Sequence, residues 1–228
     1  MSGAGPTARH ALSTLRAGGG SAVHGLLRAM RPDGRTRLSP ARLHHVDPGD
    51  VTHVTRVRLP ERTRGRRSGG DWDVEAVALS TLALTRVLTA RFVDGLGWED
   101  AGLRVGVDLR EGVPNLGDRY VGLDASALAR RGEELDLLHA SLARDGWLPH
   151  HATGAPFHRE LAVAIGRDGR LVRNSGGLHR LLIARIVGLD SVPVRVLTEH
   201  PLLEATPTCL RPAGRTRRRS PGGAPRGR

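Results

Sequence analysis

The chain has 228 residues, 39% apolar and 25% charged but only 3% aromatic, so one domain with flanks can build an aliphatic core. Its one cysteine, Cys209, excludes an intrachain disulfide and a cysteine-based metal cluster, and no apolar run approaches the length of a membrane span. The net charge of +12 invites a nucleic-acid reading, but residues 1–70 carry 13 Arg against 4 acids, residues 71–210 carry 15 against 19, and residues 211–228 carry 7 against none, so the middle is mildly acidic.

All 35 basic residues are Arg, in a chain without Lys or Gln. That vocabulary marks a GC-rich genome and makes each Arg less informative. The first residues show no charged start followed by an apolar stretch, so a bacterial-type cytoplasm is expected. Residues 1–45 read as weakly ordered, with SAVHGLLRAM as a short helix stopped by RPDG. VTHVTRVRL, 51–59, is β-branched and reads as a strand, and ERTRGRRSGG, 61–70, as a polar loop. GGDWD then introduces a periodic run ending at Gly95, with Asp71 or Asp73 as the helix cap and Val77, Leu84, Leu88 and Phe92 as one stripe. A second helix is expected from Asp124 to about Arg144, with Leu128, Leu135, Leu138 and Leu142 on one face and Gly146 closing it.

The last organised part is the clearest. ELAVAIG, 160–166, alternates as a strand; Asp168-Gly169 reads as a two-residue turn with both φ positive; LVR returns as its partner. After NSGG comes the helix LHRLLIARIVG, with Gly188 as its stop. VPVRVL, 192–197, is a closing strand, on which Arg195 faces solvent or the site. Residues 206–228 read as a disordered Arg-rich tail. The fold class is α+β: a small mixed sheet with a β-hairpin, a Gly loop, a buried helix and a closing strand, plus a helical insertion. One domain is expected over 46–205, with a helical part over 71–146 and a motif part over 158–200.

The stretch NSGGLHRLLIA, 174–184, carries the chemistry. The first amides of a helix lack intrahelical acceptors and sit at the positive end of its dipole, which suits an anion. Gly176 and Gly177 let oxygens approach the backbone. Ser175 adds a hydroxyl or caps the helix. His179 and Arg180 fall in the first turn; Arg offers a fork suited to phosphate, and His donates a hydrogen bond or moves a proton. The competing reading, that this pair only caps and solvates a helix start, stays open from spacing alone.

NSGGLHRLLIARIVGLDSVPVRVL resembles the ParB/sulfiredoxin-like superfamily, whose signature is a G-x-H-R or G-E-R-R loop entering a helix and followed by a strand. Upstream, GGDWD, RFVDGLGWED and YVGLDASA look like the helical part of uncharacterised prokaryotic proteins with this domain, which extends the likeness over 45–205. The resemblance implies nucleotide-phosphate contact by Asn174, Ser175, Gly176, Gly177, His179 and Arg180. It implies a nucleotide, ATP, ADP or CTP, with Mg²⁺, and transfer of a phosphoryl group to a small molecule, His179 steadying charge and Glu160 acting as base. Sulfiredoxin chemistry is not implied, because Leu178 stands where that family has its reactive cysteine. The ParB clamp role is not expected either, since residues 201–228 show no helix-turn-helix. The alternative is a non-catalytic module that binds DNA or protein through its Arg-rich ends.

Other candidates read as structural first. His150, His151 and His158 lie in a Pro-Gly loop without metal-ligand spacing, so no metal site is expected. Asp71 and Asp73 suit a cap as well as Mg²⁺. Trp98, Glu99 and Asp100 pack and cap. His200, ending the last strand, reaches the site edge. The oligomeric state is not legible.

Overall fold

The computed structural model describes residues 32–35, 37–39, 41–116, 119–149 and 159–212. The expected helix over 21–30 and the histidines 150, 151 and 158 lie outside the described residues. The fold is α+β. Among the described residues nine short strands form one mixed sheet: β1 Pro32–Arg35, β2 Leu43–Val46, β3 Val51–Val54, β4 Arg66–Ser68, β5 Val77–Ala78, β6 Ala162–Ile165, β7 Leu171–Ser175, β8 Val192–Glu199 and β9 Arg211–Pro212. Among the described residues three α-helices accompany it: α1 Ala83–Phe92, α2 Ala125–Asp145 and α3 Leu178–Val187. No helix among the described residues is long and apolar enough to cross a membrane.

The sheet runs β1-β4-β8-β6-β7-β3-β5. β6 and β7 form an antiparallel hairpin, β8 lies parallel to β6, and β3 parallel to β7. The far side of β8 is shared. β2 pairs antiparallel along Val192–Arg195, and β4 pairs parallel at Thr198 and Glu199. β9 extends β2. Residues 32–45, expected to be weakly ordered, and 211–212, expected to be disordered, therefore supply β1, most of β2 and β9: β2 and β4 cover the free side of β8, and β9 and β1 extend them.

Side-chain parity explains why the central strands read as near-continuous apolar runs. One face of the sheet sends Val163, Ile165, Leu171, Val192, Val194 and Val196 into the main core beneath the helices. The other sends Ala164, Val172 and Leu197 into a smaller cluster with Leu59 and Trp72. Arg195 shares that second face. It is 1% exposed and paired with Glu61, Nη2 to Oε1 2.5 Å, so the solvent-facing or site-facing expectation for it is wrong. A strand covered on both faces leaves no solvent side for an alternating residue.

Three expectations from periodicity need correction. The run after GGDWD is not one helix: Val77 and Ala78 pair with Val54 and His53 at the edge of β3, a 3₁₀ turn spans Leu79–Thr81, and α1 starts only at Ala83. Neither Asp71 nor Asp73 caps it. Glu111, 28 residues away, accepts from Ala83 N at 2.8 Å, and among the described residues it alone has a left-handed φ without being glycine. The strand expected over 51–59 stops at Val54, because Asn174 draws Thr55 and Leu59 into a side-chain-bonded loop. The hairpin turn has three residues. Gly169 N donates to Gly166 O, Gly166 N donates to Arg170 O, and only Gly169 takes a positive φ, 82°.

α2 follows its expected span closely. Asp124 caps it by accepting from Ala127 N at 2.7 Å, Leu128, Leu135 and Leu142 are buried, and Gly146 ends it at φ 70°. Its middle carries Gly132, where a Cβ would stand 2.7 Å from the Trp98 ring. Trp98 also donates Nε1–H to Asp136, which Arg91 clamps with two further bonds, so Trp98 does pack as expected. α3 packs against α1 and α2 and stops at Gly188 as expected, a residue that takes a left-handed φ.

Candidate anion-binding site

The site lies where β7 ends and α3 begins. Gly176 and Gly177 both take left-handed φ, 68° and 53°, and Gly177 is the N-cap residue of α3, with no side chain capping the helix. The glycines also answer to packing. A Cβ on Gly176 would stand 2.6 Å from Glu160 O, and one on Gly177 would stand 3.3 Å from both Leu161 Cβ and the Trp147 ring. The loop is thus pressed against residues 159–161 on one side, and the uncapped first turn of α3 remains for an acceptor.

Each flank of the loop carries its own set of side chains. Arg180 lies on the Trp147 flank: its guanidinium carbon is 4.1 Å from the ring centroid, it donates to Leu148 O, and Glu160's charge acts on it. Glu160 is fully buried with its backbone against Gly176, so the structure does bring it to the loop. Trp147 is itself nearly buried, and its Nε1 has no partner.

His179 lies on the other flank, within a group of cations. Its Nε2 is 2.5 Å from the Tyr120 hydroxyl. Arg131 Nη2 is nearly equidistant from the two ring nitrogens, at 3.4 and 3.5 Å, a charge contact rather than a directed bond. Burial, then the charges of Arg131, Arg119 and Arg173, push His179 down to about 3, so the imidazole is neutral at pH 7. Beneath it stands Arg173 of β7, on the helix-covered face two residues beyond Leu171. Arg173 is 7% exposed and donates Nε–H to Gly176 O at 3.2 Å. Its Nη1 has no partner, and burial together with Arg58 and Arg119 lowers it to about 10. Ser175, 4% exposed, has an unpartnered Oγ, and Arg131 an unpartnered Nε. Among the described residues, Arg131 is the only one of these four arginines with an ion pair, to Glu134.

A buried guanidinium with an unmade hydrogen bond and like charges around it costs stability unless an anion completes it. Arg173, Arg131 and Tyr120 were not among the residues singled out from the sequence. Arg173 had a signal: in LVRNS it shares the parity of Leu171, a charged residue on an inward face. Arg131 and Tyr120 had none, since they reach the loop only through the fold.

The remaining expected site residues are used elsewhere. Asn174 is fully buried; its side chain accepts from Leu59 N at 2.7 Å and from Thr55, and donates to Leu59 O, so it pins the 55–59 loop instead of reaching a ligand. His200 sits at the opposite end of β6, beside Ile165, with Nε2 3.0 Å from Gly70 O, and does not reach the site. Asp73 takes Arg167 at N, Nε and Nη2, and Asp71 pairs with the same guanidinium. Among the described residues no three His, Cys, Asp or Glu converge as a metal site. No family model, curated protein or solved structure matches the chain.

Proposed function

We propose that this chain is a ParB/sulfiredoxin-like domain protein that binds a nucleotide through its phosphates at the Gly176–Gly177 loop. The observation that carries the reading is Arg173: a buried cation bonded to the loop carbonyl, with one donor left over. The order of hairpin, glycine loop, buried helix and closing strand supports it, as does the uncapped start of α3. On the His179 flank the unpartnered groups, Arg173 Nη1, Arg131 Nε and Ser175 Oγ, are N–H and O–H donors, which fits phosphate oxygens.

In this reading the first-turn amides and Arg173 hold phosphate, and Arg131 and His179 line the other wall. Arg180 orders the Trp147 flank and keeps Glu160 beside the loop. A Mg²⁺ ion arriving with the nucleotide would be held chiefly by phosphate oxygens and water, with Glu160 the carboxylate on the loop side. Transfer to a small-molecule acceptor would use Glu160 to take the acceptor proton, and the neutral His179 would donate a hydrogen bond to developing charge.

The test is a calorimetric and thermal-shift screen of ATP, ADP, CTP and GTP with Mg²⁺. At least one is expected to raise Tm, and the rise is expected to vanish in Arg173→Ala and shrink in Arg180→Ala. A flat response to all four nucleotides would overturn the reading.

A further inference from the structure

The charge and enclosure of the His179 flank narrow the ligand further. Four guanidiniums, Arg58, Arg119, Arg131 and Arg173, act on one small volume, and Glu134 on Arg131 is the one carboxylate paired with them among the described residues. One negative charge leaves most of that field uncompensated. Three donor atoms here are buried and unpartnered: Arg173 Nη1, Ser175 Oγ and Arg131 Nε. Arg173 bonds the loop carbonyl of Gly176, Ser175 precedes it, and Arg131 reaches His179, which the Tyr120 hydroxyl also contacts. The two remaining cations, Arg58 and Arg119, are exposed.

We propose that the group seated here is the end of a phosphate monoester, held as a dianion, and not the internal diester of a nucleic-acid strand. This rests on the phosphate-binding reading above and specifies its ligand. A monoester end offers three free oxygens to three waiting donors and carries up to two charges near neutral pH. A diester offers two free oxygens and one charge, and its chain must leave in two directions. Arg173 and Ser175 stand on β7 and are only 7% and 4% exposed, so a group that reaches them does so by its tip. The exposed Arg58 and Arg119 attract any polyanion, and the buried Arg173 and Ser175 select among them.

The experiment is calorimetry on the full chain at pH 7.5, with methyl phosphate and dimethyl phosphate as matched probes, inorganic phosphate as a third, and ATP–Mg²⁺ in parallel. Methyl phosphate and inorganic phosphate are expected to bind at least about tenfold tighter than dimethyl phosphate, as the loss of one charged hydrogen bond and one charge requires. Arg173→Met is expected to erase that preference. Arg131→Gln, at a side chain still 19% exposed, is expected to reduce it and guards against a folding defect in the first variant. Equal affinity for the two esters, or a preference unchanged in both variants, would overturn the proposal. If ATP still binds in that case, only the monoester assignment falls. If no nucleotide and no phosphate binds, the phosphate-binding reading falls with it.

Discussion

The two ends of the β6–β7 hairpin treat their arginines in opposite ways. At the turn end, Arg167 is bonded to Asp73, Asp71 and Gly70 O, and His200 completes Gly70 through the same carbonyl. On the other face of the sheet, the buried Arg195, beside Ala162, is paired with Glu61. At the loop end, Arg173 is as inaccessible as a core residue, yet one of its donors meets nothing and its neighbours are cations. Equal burial, with a carboxylate partner in one case and cationic neighbours in the other, separates arginines that hold the fold together from one that the fold holds ready. Buried polar groups in native proteins are nearly always satisfied, so the exceptions point to function.

The sharpest way to break this comparison is at the glycines of the loop. Gly176→Ala adds a Cβ 2.6 Å from a backbone carbonyl at φ 68° and is expected to cost about 3 kcal/mol or more in chemical denaturation. A cost below about 1 kcal/mol would mean that the loop is looser than its contacts with residues 159–161. Glu61→Gln comes next. It leaves Arg195 buried against a neutral partner, and the half-exposed position of Glu61 moderates the penalty to about 2–3 kcal/mol.

Arg173→Met is expected to go the other way. Removing an uncompensated buried charge should stabilise the ligand-free protein by about 1–2 kcal/mol while anion binding is lost. A destabilised Met variant would place Arg173 with Arg195 as a structural residue and erase the contrast. Acid should sharpen it. His179 titrates far below its ordinary 6.5, near 3, so the unfolded chain holds the extra proton between those values. Its contribution to stability is complete above pH 6.5 and is lost as pH falls toward 3. Between pH 7 and pH 5 the native protein should lose about 1–2 kcal/mol more than His179→Gln does, by denaturation at each pH, and saturating phosphate should narrow that gap. The smallest effect concerns α1: Glu111→Ala removes its only cap and should cost about 0.5–1 kcal/mol, softened by relief of the left-handed backbone only in Glu111→Gly.

The part of the chain whose structure is set locally was readable in advance. Alternation in AVAI, a glycine turn, and an apolar run between Gly177 and Gly188 define hairpin, loop and helix without reference to anything distant. The run over 74–94 misled because its three- and four-residue spacing is real, yet Val77 and Ala78 gain more by joining β3 than by adding two turns to α1. The site was half legible for the same reason. Gly176, Gly177 and His179 announce themselves by local pattern. Arg173 was masked by a vocabulary in which every cation is Arg, and Tyr120 and Arg131 arrive from a segment nearly fifty residues or more upstream. Asn174 looked like a ligand donor because it adjoins the loop, but strand parity turns its side chain to the opposite face of the sheet.

Gly132 gives the helix α2 an unusual dependence. The residue immediately before it is Arg131, and the space its missing side chain leaves is filled by the Trp98 indole. A glycine at mid-helix gives up intrinsic rigidity, so the wall that presents Arg131 is braced from outside, by a ring that also bridges to Asp136 and Arg91. The cationic wall therefore has a keystone on the far side of its own helix, and altering the indole should be felt at His179 without any residue of the loop being touched.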